Sequence, residues 1–114
     1  MFDFEKLIVY QKAKAYNKTV THFISSTKLD RTTQDQLRRA SYSIMLNIAE
    51  GSGRFTKPDK RNFYIISRGS TFECAAIFDY LRDINALSDE DFKRYYSDLN
   101  ELSKMLFSLI KTLS

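Results

Sequence analysis

The chain of 114 residues is predicted to be all-α, a single domain over residues 1–114 folded as an antiparallel up-down-up-down four-helix bundle. Four amphipathic segments repeat apolar residues at alternating steps of three and four, the period of packed helices. Each segment is roughly 20–28 residues, about 30–40 Å of helix, and the breaks between them are short, so consecutive helices run antiparallel. Gly occurs three times and Pro once, leaving few of the residues that break helices.

The first segment runs from about Phe4 to Ser26, with Asp3 as its expected N-cap and Val9, Ala13, Tyr16, Val20 and Phe23 on one stripe. A break follows, closed by Thr33-Gln34-Asp35-Gln36, which has capping-box spacing. Segment two carries Leu37, Ser41, Ile44 and Ile48 and is expected to stop at Gly51-Ser52-Gly53. Thr56-Lys57-Pro58-Asp59 then opens segment three, with Pro where a first turn tolerates it. Ser88-Asp89-Glu90-Asp91 caps segment four, whose seam is Phe92, Tyr95, Leu99, Leu102, Leu106, Leu109 and Leu113.

Segment three is the anomalous one. Its most continuous stripe is Phe63, Ile66, Ser70, Glu73, Ile77, Tyr80 and Ile84, a seam with a hydroxyl and a carboxylate in its middle. On a core face these need partners. In an antiparallel pair, late segment two faces early segment three, so Arg39, Asn47, Glu50, Arg68, Ser70 and Glu73 are expected to form one polar network that fixes register. Deleting Glu73 from such a network is expected to cost about 3–5 kcal/mol. The segment also offers Ile65, Phe72, Ala75, Ala76 and Phe78 on a second side. A helix apolar on most sides is buried on most sides, so Ile65, Phe72, Ala76 and Phe78 are expected to meet another copy of the chain.

Composition narrows the chemistry. Hydrophobic residues make up 43% and charged residues 28%, a globular balance. A lone Cys74 excludes an internal disulfide and a lone His22 excludes the usual zinc clusters, so no metal or cofactor is expected. No apolar run suits a signal peptide or a membrane span, which makes the cytoplasm the expected compartment. The net charge of +4 is uneven: residues 1–30 carry +2, residues 31–69 carry +5 and residues 70–114 carry −3. Arg54, Lys57, Lys60 and Arg61, with Phe55 among them, form a compact basic patch at one end of the bundle. Phosphate binding to RNA or DNA with little base selectivity is the function such a patch suggests, and a solvated surface is the plain alternative. Gly51-Ser52-Gly53-Arg54 lacks the Lys-Ser/Thr ending of a phosphate loop and follows no strand. No activated nucleophile accompanies the carboxylates, so no catalytic residue is assigned. A hydrolase using Glu50 and Glu73 would need both beside one open cleft.

Leu7–Ala13 (LIVYQKA), Gln36–Ala40 (QLRRA), Ser43–Arg54 (SIMLNIAEGSGR) and Arg68–Glu73 (RGSTFE) resemble the bacterial four-helix-bundle proteins first noticed as reading frames in 23S ribosomal RNA intervening sequences. The likeness covers essentially the whole chain, though the family often has Trp where Tyr10 stands and Phe-Pro where Phe23-Ile24 stands. It implies a homopentamer. It also implies kinship with the accessory variability determinant of diversity-generating retroelements, which binds a reverse transcriptase and nucleic acid. Two roles are therefore expected to compete: a nucleic-acid-binding oligomer, and a scaffold or accessory subunit, for example to a reverse transcriptase.

Overall fold

A computed structural model describes all residues, Met1 to Ser114. A 3-10 turn at Asp3–Lys6 leads into four helices: α1 Ile8–Ser26, α2 Arg31–Ser52, α3 Lys57–Asp83 and α4 Asp89–Lys111. The helices pack in a ring, α1 on α2, α2 on α3, α3 on α4 and α4 back on α1, giving a rod of 44 × 23 × 21 Å.

Local chemistry sets the helix ends. The Asp30 carboxylate accepts the Thr33 N–H at 2.7 Å and caps α2. The cap thus lies three residues before the expected Thr33, which is itself inside the helix. Asp3 does not cap α1. It belongs to the 3-10 turn, anchored where the Phe4 ring meets Tyr10 edge-on at 4.7 Å, and Leu7 precedes the helix without a side-chain cap. Thr56 and Ser88 cap α3 and α4 as expected, accepting from the N–H groups of Asp59 and Asp91. Asn85 has φ +61°, the left-handed conformation that ends a helix, and the Ala86 N–H reaches back to the Leu81 carbonyl at 2.9 Å.

Gly51 is not a stop. The helix runs through it to Ser52, and Gly51 is buried. A Cβ there would lie 2.9 Å from both Phe63 Cβ and Tyr64 Cε1, so glycine is what lets α2 and α3 approach so closely.

The core draws on every helix, with Val20, Leu37, Ile44, Ile48, Phe78, Leu99 and Leu106 all enclosed. The stripes read for α1 and α2 are the buried ones, and the α4 seam holds through Leu106 before Ile110 takes over from Leu109. Phe23, Phe78 and Tyr95 pack ring against ring across the bundle, with centroids 4.9–5.5 Å apart.

Segment three turns a different face inward. Its buried stripe is Tyr64, Ser67, Thr71, Cys74, Phe78 and Leu81, with Ser70 at its edge. This has the same three-four rhythm as the expected seam, displaced by one residue, or about 100° around the helix. Ile66, Glu73, Tyr80 and Ile84 consequently face water. Phe78, expected at an interface between copies, is 0% exposed and belongs to the core. The inward stripe is the more polar one because the helices are close there: small side chains fit, and their hydroxyls are satisfied. Ser67 donates to the Ile44 carbonyl at 2.7 Å and Thr71 to the Ser67 carbonyl at 3.0 Å.

Candidate nucleic-acid interface

The α2–α3 turn and the first turns of α3 carry the basic patch. The Thr56 cap and Pro58 in the first turn fix how α3 begins, so Lys57, Lys60 and Arg61 stand on a defined helix. Their states differ. Arg54 makes an exposed ion pair with Glu50 at 3.5 Å and lies over the Phe63 ring at 4.4 Å. Lys60 donates to the Ser52 carbonyl at 2.9 Å, closing the C-terminal end of α2, where the helix dipole favours a cation. Lys57 is exposed and in no ion pair. Arg61 is half-buried with its Nε–H out of water and donating to nothing. Two of the four cations are thus occupied in holding the turn, and two lack a partner. Glu50 and Asp59 are the carboxylates nearby in sequence, which leaves the patch positive by two charges.

The expected polar network divides. Ser43 joins Asn47 and Ser70, receiving a hydrogen bond from the Asn47 side chain and another from Ser70 Oγ, each at 2.8 Å. The other four stand elsewhere. Glu50 pairs on the surface with Arg54, Arg68 donates to the Ser103 carbonyl of α4 at 3.3 Å, and Arg39 and Glu73 are exposed. Gly51 packs on Phe63, which puts Glu73, ten residues further along α3, roughly 15 Å from the level of Glu50. The two carboxylates therefore share no cleft. No three His, Cys, Asp or Glu side chains converge on one point either. Cys74 is free and buried, and desolvation, with a smaller push from the Glu73 charge, raises its thiol to about 12. At neutral pH it is a thiol rather than a nucleophilic thiolate.

Sequence reasoning missed Ser43 and Ser67, the hydroxyls that actually tie α2 to α3. Their signal was present, since small hydroxyl residues on both helices next to a glycine mark a close crossing.

The arrangement matches a known family. The sequence profile described as 23S rRNA-intervening sequence protein fits residues 5–108. The chain belongs to that family. No curated protein matches it. Among solved structures it resembles the 1.70 Å crystal structure of a protein of unknown function from the S23 ribosomal protein family of Bacteroides thetaiotaomicron VPI-5482. The two share 21% identity with a TM-score of 0.86, over 91% of this chain and 99% of the other. Identity that low speaks for the fold alone. Within the family fold, no helix of this chain is long and apolar enough to cross a membrane.

Proposed function

We propose that this chain is a non-enzymatic, self-associating bundle protein that binds nucleic-acid phosphates at the α2–α3 end. The observation that supports it best is the state of Lys57 and Arg61. They sit one turn apart on α3, with no carboxylate paired to either. Cations left without a counter-ion are free to displace those around a phosphate backbone, whereas Arg54 and Lys60 serve to build the turn. Self-association supports the same reading, because copies side by side repeat the patch around a rim. The resemblance suggests five copies. A free, buried Cys74 suits the reducing cytoplasm, where this reading places the protein.

Binding to labelled duplex should weaken steeply with salt, log K falling by about 0.9 per log unit of salt for each phosphate neutralised. The double variant Lys57→Ala/Arg61→Ala should flatten that slope by about two phosphates' worth. No binding of duplex or single strand even at low salt would overturn the proposal. It would favour the scaffold reading, in which a protein such as a reverse transcriptase docks on the second side of α3, where Ile65, Phe72 and Ala76 are exposed.

A further inference from the structure

A groove of about 450 Å³ runs between α3 and α4, lined by Arg61, Ile65, Arg68, Phe72, Phe107 and Ile110, with Gly69 at its open side. No carboxylate lines it. Both guanidiniums lack an acidic partner, because the ion pairs of the molecule involve Lys12, Arg38, Arg54, Arg82 and Arg94 instead. Arg68 is nonetheless held still: its Nε donates to the Ser103 carbonyl, and its head lies 4.8 Å from the Phe72 ring centre and 5.5 Å from that of Phe107. A positioned guanidinium with spare N–H groups is a receptor for an anion. The two rings are 56% and 54% exposed, as several other large apolar side chains of this chain are; what sets them apart is that they flank one positioned guanidinium.

The groove also continues the basic patch. Lys57, Arg61 and Arg68 fall within about 40° of one another around α3, spaced by about 6 Å and then about 10 Å along its axis. A row of cations running from the turn into a trough with aromatic walls is how proteins hold a single strand, phosphates on the cations and bases against the rings. A duplex keeps its bases stacked inside and cannot use the rings. A second copy in two-fold contact would face these arginines with their own equivalents, and one in the ring contact that five copies require would have to bring an anionic surface to them.

We infer that the α3–α4 groove is a binding site for single-stranded nucleic acid, with Arg61 and Arg68 on its phosphates and Phe72 and Phe107 stacking its bases, a reading that rests on the phosphate binding proposed above. Gly69 provides the test. Gly69 lines the groove and an added Cβ there meets nothing within 4 Å, so a side chain is accommodated at the groove's edge without a clash. Affinities of the full chain for an oligothymidylate and for a blunt duplex of equal length would be compared with those of Gly69→Glu, Gly69→Lys and Phe107→Ala. Gly69→Glu should cut single-strand binding at least tenfold and leave duplex binding at the turn within twofold. Gly69→Lys should retain single-strand binding, which separates charge from bulk. Phe107→Ala should lose about 5- to 150-fold on the single strand, the range covered by stacking one base on an aromatic ring. If the single strand binds but ignores both Gly69→Glu and Phe107→Ala, the groove site is wrong while the patch at the turn stands. If neither probe binds wild type at low salt, both readings fall. Release of single copies by Gly69→Glu would assign the groove to self-association and overturn the inference. So would an acidic, Phe-containing peptide whose binding alone is sensitive to that substitution.

Discussion

At the scale of single residues, two glycines in neighbouring helices should respond to the same substitution with opposite sign. Gly51→Ala places a methyl group 2.9 Å from Phe63 Cβ, an atom fixed to the backbone, and 2.9 Å from the Tyr64 ring. Overpacking of this kind costs about 1–3 kcal/mol and outweighs the helix propensity gained. Gly69→Ala meets no neighbour and keeps only the gain, up to about 1 kcal/mol. Thermal melting of the two variants should therefore move down and up respectively, and a parallel shift would show that the α2–α3 crossing is looser than described. Buried acids give a second prediction. Desolvation raises Cys74 to about 12 and pushes Tyr16 upward as well, so folding holds both in their neutral forms. An unfolded thiol ionises near about 8.5, and from there upward the unfolded chain releases protons that the folded chain retains. Stability is thus full below that pH and declines as pH rises toward 12. Melting temperatures across this alkaline window should fall more steeply for wild type than for Cys74→Ala.

At the scale of the element, α3 shows which part of the fold was legible and which was not. The period of the apolar residues, the caps at Thr56 and Ser88 and the stripes of α1, α2 and upper α4 follow from side-chain type alone, because only one face of each helix is apolar enough to bury. On α3 two stripes share one rhythm, one residue apart. Hydrophobicity prefers Ile66, Ile77, Tyr80 and Ile84, yet Tyr64, Ser67, Thr71, Cys74 and Phe78 go inside. What decides is how the two helices fit, a tertiary property: Gly51 leaves room for Phe63 and the Tyr64 ring against α2, and further along the crossing Ser67 is small enough to bond the Ile44 carbonyl. The same rotation explains the candidate sites. It carried Glu73 out of the network, Phe78 into the core and Arg68 into the α3–α4 groove, while the basic turn, which depends on chain order alone, stayed where the sequence put it. A pair of substitutions checks the rotation. Ser67→Val loses a buried hydrogen bond and overfills the crossing, at about 1–3 kcal/mol. Glu73→Ala, on an exposed position, should change stability by no more than about 0.5 kcal/mol instead of unfolding the chain. Denaturant midpoints in the reverse order would restore the original seam.

At the scale of the whole molecule, the misplaced stripe becomes the argument for assembly. A three-four repeat of Ile66, Tyr80 and Ile84, with half-buried Ile77 beside it, has the form of a core seam, and here it lies on the outside of the rod. Water is a poor neighbour for such a strip. Burying one large aliphatic or aromatic side chain is worth about 1.5–3 kcal/mol, so a strip of several residues supplies a driving force that a single bundle leaves unused. The unpaired arginines of the α3–α4 groove suit an anion better than another copy of a chain of net charge +4, so the outward strip is the surface proposed for self-association. In solution at micromolar concentration the protein should then have a mass several times 13.4 kDa, five times if the family resemblance extends to copy number. Ile66→Asp combined with Tyr80→Asp should reduce it to 13.4 kDa while leaving the helical circular dichroism spectrum intact, because neither side chain contributes to the core. The same variant should bind nucleic acid with a shallower salt dependence, since fewer copies of Lys57 and Arg61 would then meet one strand. A wild-type mass of 13.4 kDa under these conditions would remove the assembly, and with it the repeated rim of cations.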